Sequence, residues 1–206
     1  MEHNKKGNKM ANFRHKIMKV LRLFLSFSYD GEDKMFLDLL PEKGTYLSIG
    51  AHHPVKASNT MLLYLRGWKG TNIDIINKWK FKLLRPRDKF IYGYIEANIS
   101  YFFPHKLFTS DYEIARDRII RGWQPITRKV PQHSITEFTG YTLLDLDVDG
   151  IETTILKKLL PYYNPPFVCV ENVLEEQKGV DAILFDAGYV KVAQTLHNGI
   201  FKRGIE

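Results

Sequence analysis

The stretch 46–74, YLSIGAHHPVKASNTMLLYLRGWKGTNID, leaves few folds open to the chain. A short apolar run at 46–49 ends on Gly50, a segment fit for a helix follows, and a second apolar run at 71–73 ends on Asp74. The spacing predicts strand, turn, helix and strand. Ser58 is the expected N-cap, Met61, Leu62 and Leu65 the buried face, and Gly67 the stop. Two strands joined in this way make the front half of a nucleotide-binding βαβ unit. A glycine lets backbone come close to a ligand, and the helix start offers free N–H groups. An acid ending the second strand accepts from two ribose hydroxyls. One glycine is not G-x-G-x-x-G, so the pattern alone names no ligand.

The alternation continues along the chain. Helices are expected at 32–40, stopped by Pro41, and at 77–84, ended by Arg85-Pro86. A third strand is expected at 90–95 and a short fourth or edge strand at 99–103. Residues 109–132 are the least legible; a helix at 111–121 serves either as a lid or as plain surface. A strand at 142–146 runs into Asp147, and a helix at 151–160 follows. The run 167–170 is apolar throughout, as a central parallel strand should be. A helix at 180–187 is capped by Gly188. Strands at 189–195 and 200–203 flank Asn198-Gly199, which reads as a hairpin turn. The expected fold is α/β: a mostly parallel, doubly wound sheet with a C-terminal antiparallel hairpin. With 206 residues it forms a single domain, 28–206, behind an arm at 1–27.

Charge is concentrated in that arm. Lys5, Lys6, Lys9, Arg14, Lys16, Lys19 and Arg22 stand against Glu2 alone, so most of the net charge of +7 precedes Phe24. The body is close to neutral, which argues against nucleic acid as the partner. Phe13, Ile17, Leu21 and Phe24 recur at helical spacing within 12–27, with the basic residues largely off that stripe. The segment suits peripheral contact with an anionic membrane surface, or packing on its own domain or on the partner in a homodimer. No apolar run reaches the ~18 residues of a membrane span. The lone Cys169 excludes an intrachain disulfide and reads as a buried thiol, and the expected location is cytoplasmic, with peripheral contact at the inner face of a membrane as the alternative.

Short motifs recur in a fixed order from Gly31 to Arg203. Gly31-Glu32-Asp33 precedes the first strand, which runs into Ile49-Gly50-Ala51-His52-His53-Pro54. Ser58-Asn59-Thr60, Gly67-Trp68, Asn72-Ile73-Asp74 and Arg85-Pro86-Arg87-Asp88 follow. Leu146-Asp147-Val148-Asp149-Gly150-Ile151-Glu152, Val170-Glu171 and Gly188-Tyr189 complete the series. In this order they resemble the FkbM-type family of S-adenosylmethionine-dependent methyltransferases. The resemblance implies a Rossmann-like methyltransferase fold and S-adenosylmethionine as cofactor. It also implies O-methyl transfer to a saccharide hydroxyl on a glycan, lipid-linked glycan or lipopolysaccharide precursor. The sequence departs from the family at two places. Ser48 stands where an acid is usual, and Asp149-Gly150 stands for Glu-Gly.

Methyl transfer requires a bound cofactor, an aligned acceptor and a base for the hydroxyl proton. On the resemblance and the strand-end positions, the cofactor contacts are Ser48, Gly50, Ala51, Asn59, Asp74, Glu96 and Asp147. Asp147, His52 and His53 are the catalytic candidates; the alternative for the histidines is to shape the loop by hydrogen bonding. Asp145, Asp147, Asp149 and Glu152 form the densest acidic cluster. Asp147 and Asp149 suit Mg2+, while Asp149 and Glu152 equally suit helix capping. Glu171 is a candidate for the far side of the pocket. Asn164-Pro165-Pro166-Phe167 matches a motif of nucleic-acid amino-methyltransferases but precedes its strand rather than following it, so it reads as a loop. Three functions compete: the O-methyltransferase, a degenerate relative that binds a ligand or partner without catalysis, and a nucleic-acid methyltransferase. Ser48 motivates the second, on which Ser48→Asp should raise cofactor affinity.

Overall fold

The structure, a computed structural model, describes residues 26–95, 131–148, 152–171 and 177–204. Glu96, Asp149, nearly all of the arm, the expected strand at 99–103 and nearly all of 109–132 lie outside them.

The elements alternate as the sequence predicts. They are α1 (Glu32–Leu39), β1 (Thr45–Ile49), α2 (Met61–Arg66), β2 (Lys69–Asp74), α3 (Lys78–Leu84) and β3 (Lys89–Tyr92). Then come β4 (Tyr94–Ile95), β5 (Gln132–His133), a 3-10 turn (Ile135–Glu137), β6 (Leu143–Leu146) and α4 (Glu152–Leu159). The chain closes with β7 (Phe167–Glu171), α5 (Gln177–Asp186), β8 (Tyr189–Gln194) and β9 (Asn198–Arg203).

Seven strands form one sheet in the order β3-β2-β1-β6-β7-β9-β8. The five strands from β3 to β7 are mutually parallel, and β9 pairs antiparallel with both β7 and β8. This is the doubly wound, Rossmann-like sheet with a terminal antiparallel hairpin. The strand order reverses direction between β1 and β6, so the crevice at their carboxyl ends is the topological switch point, where such sheets place ligands.

The period of two along each strand divides the core. Leu47 and Ile49, Leu144 and Leu146, Val168 and Val170 point to one face, where Ile155, Leu156, Leu159, Val180 and Leu184 cover them. Tyr46, Leu143, Phe167 and Cys169 point to the other, against Phe36, Leu40, Leu63 and Trp68. Ser48 and Asp145 share that second face. Cys169 is buried there; burial first, and then the nearby acids, push its thiol well up, so it is an inert core residue.

Several local expectations change. The N-cap of α2 is Thr60, not Ser58, and no side chain caps the helix. Its buried residues are Met61, Leu62, Leu63 and Tyr64, whereas Leu65 is exposed. Ser58 instead accepts from Arg85. The third strand stops at Tyr92 because Gly93 (φ 154°) turns the chain, and Tyr94–Ile95 pair with Gln132–His133 in a separate small sheet. Asn198-Gly199 is not the hairpin turn: both residues are in β9, opposite Glu171 and Val170, and the chain reverses across Thr195 to Asn198. The 164–167 loop leads into β7 at the sheet edge away from the strand ends that carry the candidate site, with Pro165 O accepting from Tyr189.

Candidate active site

The switch point is built on a backbone contact that only glycine allows. Gly50, just past β1, has φ 80°, and a Cβ there would lie 1.6 Å from the carbonyl oxygen of Asp147. The Asp147 N–H donates to Ile49 O, so the ends of β1 and β6 are tied together. Gly50 and Ala51 both donate their N–H groups to Ile73 O, which folds the 50–53 loop over the end of β2.

Asp74 organises that loop. One of its carboxylate oxygens accepts the His52 N–H at 2.6 Å and the other the Ile76 N–H at 2.9 Å. Burial pushes its carboxyl up, and the backbone N–H groups of His52, Ile76 and Ile75, with the His52 ring nearby, pull it down. With three backbone donors on it, the carboxylate keeps acceptor capacity for a ligand hydroxyl. His52 sits at φ 44°, a conformation held by Asp74 on one side and by Asn77, which donates to His52 O, on the other. Asn77, expected only as the first residue of a helix, is thereby a member of the site loop's bonding.

His53 takes the loop-shaping role. Its Nδ1 accepts from the N–H groups of Val55 and Lys56, both at 3.1 Å, so the neutral ring carries its proton on Nε2. Burial, with Lys80, His52 and Lys56 around it, lowers its pKa and favours that neutral form. Asp147 is exposed beside Gly50 at the end of β6. Glu152 is buried and accepts the Val148 N–H at 2.9 Å, the capping use of that residue. Glu171 ends β7 beside Asn198. Among the described residues no group of three His, Cys, Asp or Glu side chains is placed to hold a metal ion.

Ser48 and Asn59 do not face open space. Ser48 stands in register with Asp145 of the neighbouring strand, and its hydroxyl donates to that carboxylate at 2.8 Å. The Asn59 amide donates to the other oxygen at 3.0 Å. Asp145 is buried, and desolvation pushes its carboxyl up to about 6 against the pull of those two donors. A carboxylate is therefore present beside position 48, one strand over. The sequence showed Asp145 as one of several acids; pairing it with Ser48 required the β1–β6 register.

Below the site, the Arg85-Pro86-Arg87-Asp88 motif is a clasp. The Arg85 guanidinium is buried and pairs with Asp88 at 2.8 Å through Nε. Its other nitrogens donate to Pro54 O, Ser58 Oγ, Thr60 O and Oγ1, and the Tyr46 hydroxyl. Tyr46, Tyr64 and Phe81 put their rings around it, 5.3 to 5.6 Å from the guanidinium carbon. Asp88 also accepts from the Gly70 N–H and from Asn72. One buried cation thus fixes the 54–60 loop, and through it Asn59. The Gly31-Glu32-Asp33 motif is structural in the same way. Asp33 collects Ser26, the Phe27 N–H and Ser28, and Glu32 collects Thr195 and Asn198.

No family model matches the chain, and no curated protein matches it. Solved structures resemble it in shape. One is a TehB-like S-adenosylmethionine-dependent methyltransferase from Corynebacterium glutamicum, at 8% identity over 94% of this chain and 97% of that one, with TM-score 0.48. A second is precorrin-6y C5,15-methyltransferase from Geobacter metallireducens, at 8% identity over 84% and 87%, with TM-score 0.49. A third is an O-methyltransferase from Bacillus cereus in complex with S-adenosylhomocysteine, at 10% identity over 94% and 89%, with TM-score 0.45. The fold assignment rests on the strand order and register themselves.

Proposed function

We propose that the chain is an S-adenosylmethionine-dependent O-methyltransferase of the FkbM type, acting on a sugar hydroxyl of a glycan or lipopolysaccharide precursor. The observation that carries this reading is the switch-point geometry. A glycine turn at the end of β1 lies beside an acid at the end of β2, and the acid's two oxygens are oriented by backbone N–H groups. That donor set fits a nucleoside cofactor: the carboxylate of Asp74 suits a ribose diol, and the glycine turn leaves room for backbone approach. When bound, the cofactor supplies an electrophilic methyl group on a sulfonium. Asp145 supplies the negative charge that position 48 lacks, beneath the turn, where it complements the positive end of the cofactor. In this reading Asp147, exposed just past β6, takes the acceptor's proton, while His53 holds the loop. The acceptor assignment rests on the motif resemblance.

The degenerate-relative reading drew its force from Ser48 alone, and Asp145 removes most of that force. Ser48→Asp by itself would set two carboxylates within hydrogen-bond reach and should lower, not raise, cofactor affinity. The swap Ser48→Asp with Asp145→Ser keeps one carboxylate and should retain binding.

Transfer of a labelled methyl group from S-adenosylmethionine tests the activity directly. Label is expected on saccharide or lipid-linked saccharide acceptors and lost by at least about a hundredfold in Asp147→Asn, in line with removal of a general base. Transfer to RNA or DNA in preference to saccharides would overturn the acceptor assignment. Cofactor binding with no transfer to any class would favour the non-catalytic reading.

A further inference from the structure

Helix α3, KWKFKLL, turns one side chain inward. Phe81 is buried and stacks near Phe90, with ring centroids 4.9 Å apart. The rest of the helix faces out, and its composition is unusual for a solvated surface. Trp79 is 77% exposed and Leu83 79%, one helical turn apart on the same side, and Leu84 is exposed beside them. Lys78, Lys80 and Lys82 of the same helix are exposed, as are Arg87 and Lys89 just after it, and Arg87 lies over the Tyr64 ring. Asp88 is the sole acid between residues 75 and 95, and its carboxylate is buried against Arg85. Lys78 and Lys82 line a surface depression of about 470 Å³ with Pro86, Asp88 and Phe90. Large apolar side chains ringed by uncompensated cations mark a docking surface rather than a wetted one.

We propose that α3 and the depression beside it dock on an anionic lipid bilayer. Trp79 and Leu83 would enter the headgroup–acyl boundary, and Lys78 and Lys82 would hold lipid phosphates in the depression. Charge selects this occupant. The chain's own basic arm and a second copy of this face both carry the same sign and are repelled. A single-stranded nucleic acid would need an open aromatic face. The Lys82 ammonium lies 5.5 Å from the Trp79 ring centroid, and leucines offer a base nothing to stack on. Asn77, which begins the helix, bonds the His52 carbonyl of the site loop, so a docked α3 would set the pocket mouth near the lipid surface. The proposal concerns where the protein sits and stands whether or not it transfers methyl groups.

The test uses the full chain with vesicles of phosphatidylglycerol and phosphatidylcholine, the latter carrying brominated acyl chains that quench an inserted tryptophan. The arm contains no tryptophan, and loss of quenching in Trp79→Phe separates Trp79 from the chain's other two tryptophans, Trp68 and Trp123. Quenching is expected with anionic vesicles, falling to background in Trp79→Phe while binding persists. Partitioning should fall at least about tenfold in Lys78→Glu with Lys82→Glu, and similarly on raising salt. Unchanged quenching in Trp79→Phe, or equal binding to purely neutral vesicles, would overturn the proposal. So would unchanged partitioning in the lysine variant, or preferential binding of a single-stranded oligonucleotide.

Discussion

Asp88→Ala is expected to cost about 3–5 kcal/mol of folding stability, the range for removing one partner of a buried ion pair. The guanidinium of Arg85 would remain inside three aromatic rings with no carboxylate beside it. The Gly70 N–H and the Asn72 amide would lose their acceptor at the same time. Asp88→Asn should cost less, since its carbonyl oxygen still accepts one of those donors. Arg85→Lys should be nearly as damaging as Asp88→Ala, because an ammonium has three donors and no fork with which to reach the acceptors on the 54–60 loop and on Tyr46. Urea unfolding midpoints at constant m-value measure each change. A loss under about 1 kcal/mol for Asp88→Ala would mean that water reaches Arg85 and that the clasp does not hold the loop.

Asp145→Asn is expected to do the opposite to the fold while harming the site. The Asp145 carboxyl titrates near 3.8 when unfolded and at about 6 in the folded protein, raised chiefly by desolvation. Between those values the native state binds more protons than the unfolded chain. Stability attributable to this group therefore falls as pH rises from about 4 to about 6 and stays low above that. A shift of about two units corresponds to about 3 kcal/mol at neutral pH and above. Asparagine removes that cost, so Asp145→Asn should stabilise the protein at pH of about 8 and leave it nearly unchanged at about pH 4. It should also weaken cofactor binding, since the charge beneath the Gly50 turn is gone. A buried carboxylate that lowers stability is the pattern expected of a functional group rather than a packing one. Equal stabilisation at both pH values would show that the carboxylate is not desolvated as described.

What the sequence revealed, and what it concealed, follows from the range of the interactions. Runs such as 167–170 and the Gly50 turn announce themselves locally, through apolar composition and a residue tolerant of positive φ, and the βα alternation then dictates a parallel sheet. Asp74 was legible for the same reason, as an acid ending an apolar run. The pairing of Ser48 with Asp145 was not, because it spans 97 residues and depends on strand register. The Asn198-Gly199 dipeptide misled because its turn propensity is outweighed by pairing with β7, where Asn198 also bonds Glu32. Leu65 misled because a helix of six residues has too few turns for periodicity to fix its buried face. The motifs around Glu32, Asp33, Arg85 and Asp88 carried a family resemblance. Their physical role, clasping loops from beneath, emerged only from the burial of their charges.

The proposed function requires S-adenosylmethionine to bind at the switch point through Asp74, near the Asp145 charge. Calorimetric titration of the full chain with S-adenosylhomocysteine tests it most directly. Saturable binding in the micromolar range is expected, weakened at least about tenfold by Asp74→Asn and by Asp145→Asn, the loss expected when a hydrogen-bonding or charge contact of about 1.4 kcal/mol is removed. The Ser48→Asp, Asp145→Ser swap should bind like the wild type. Absence of binding in the wild-type protein, or binding indifferent to both Asp74 and Asp145, would contradict it.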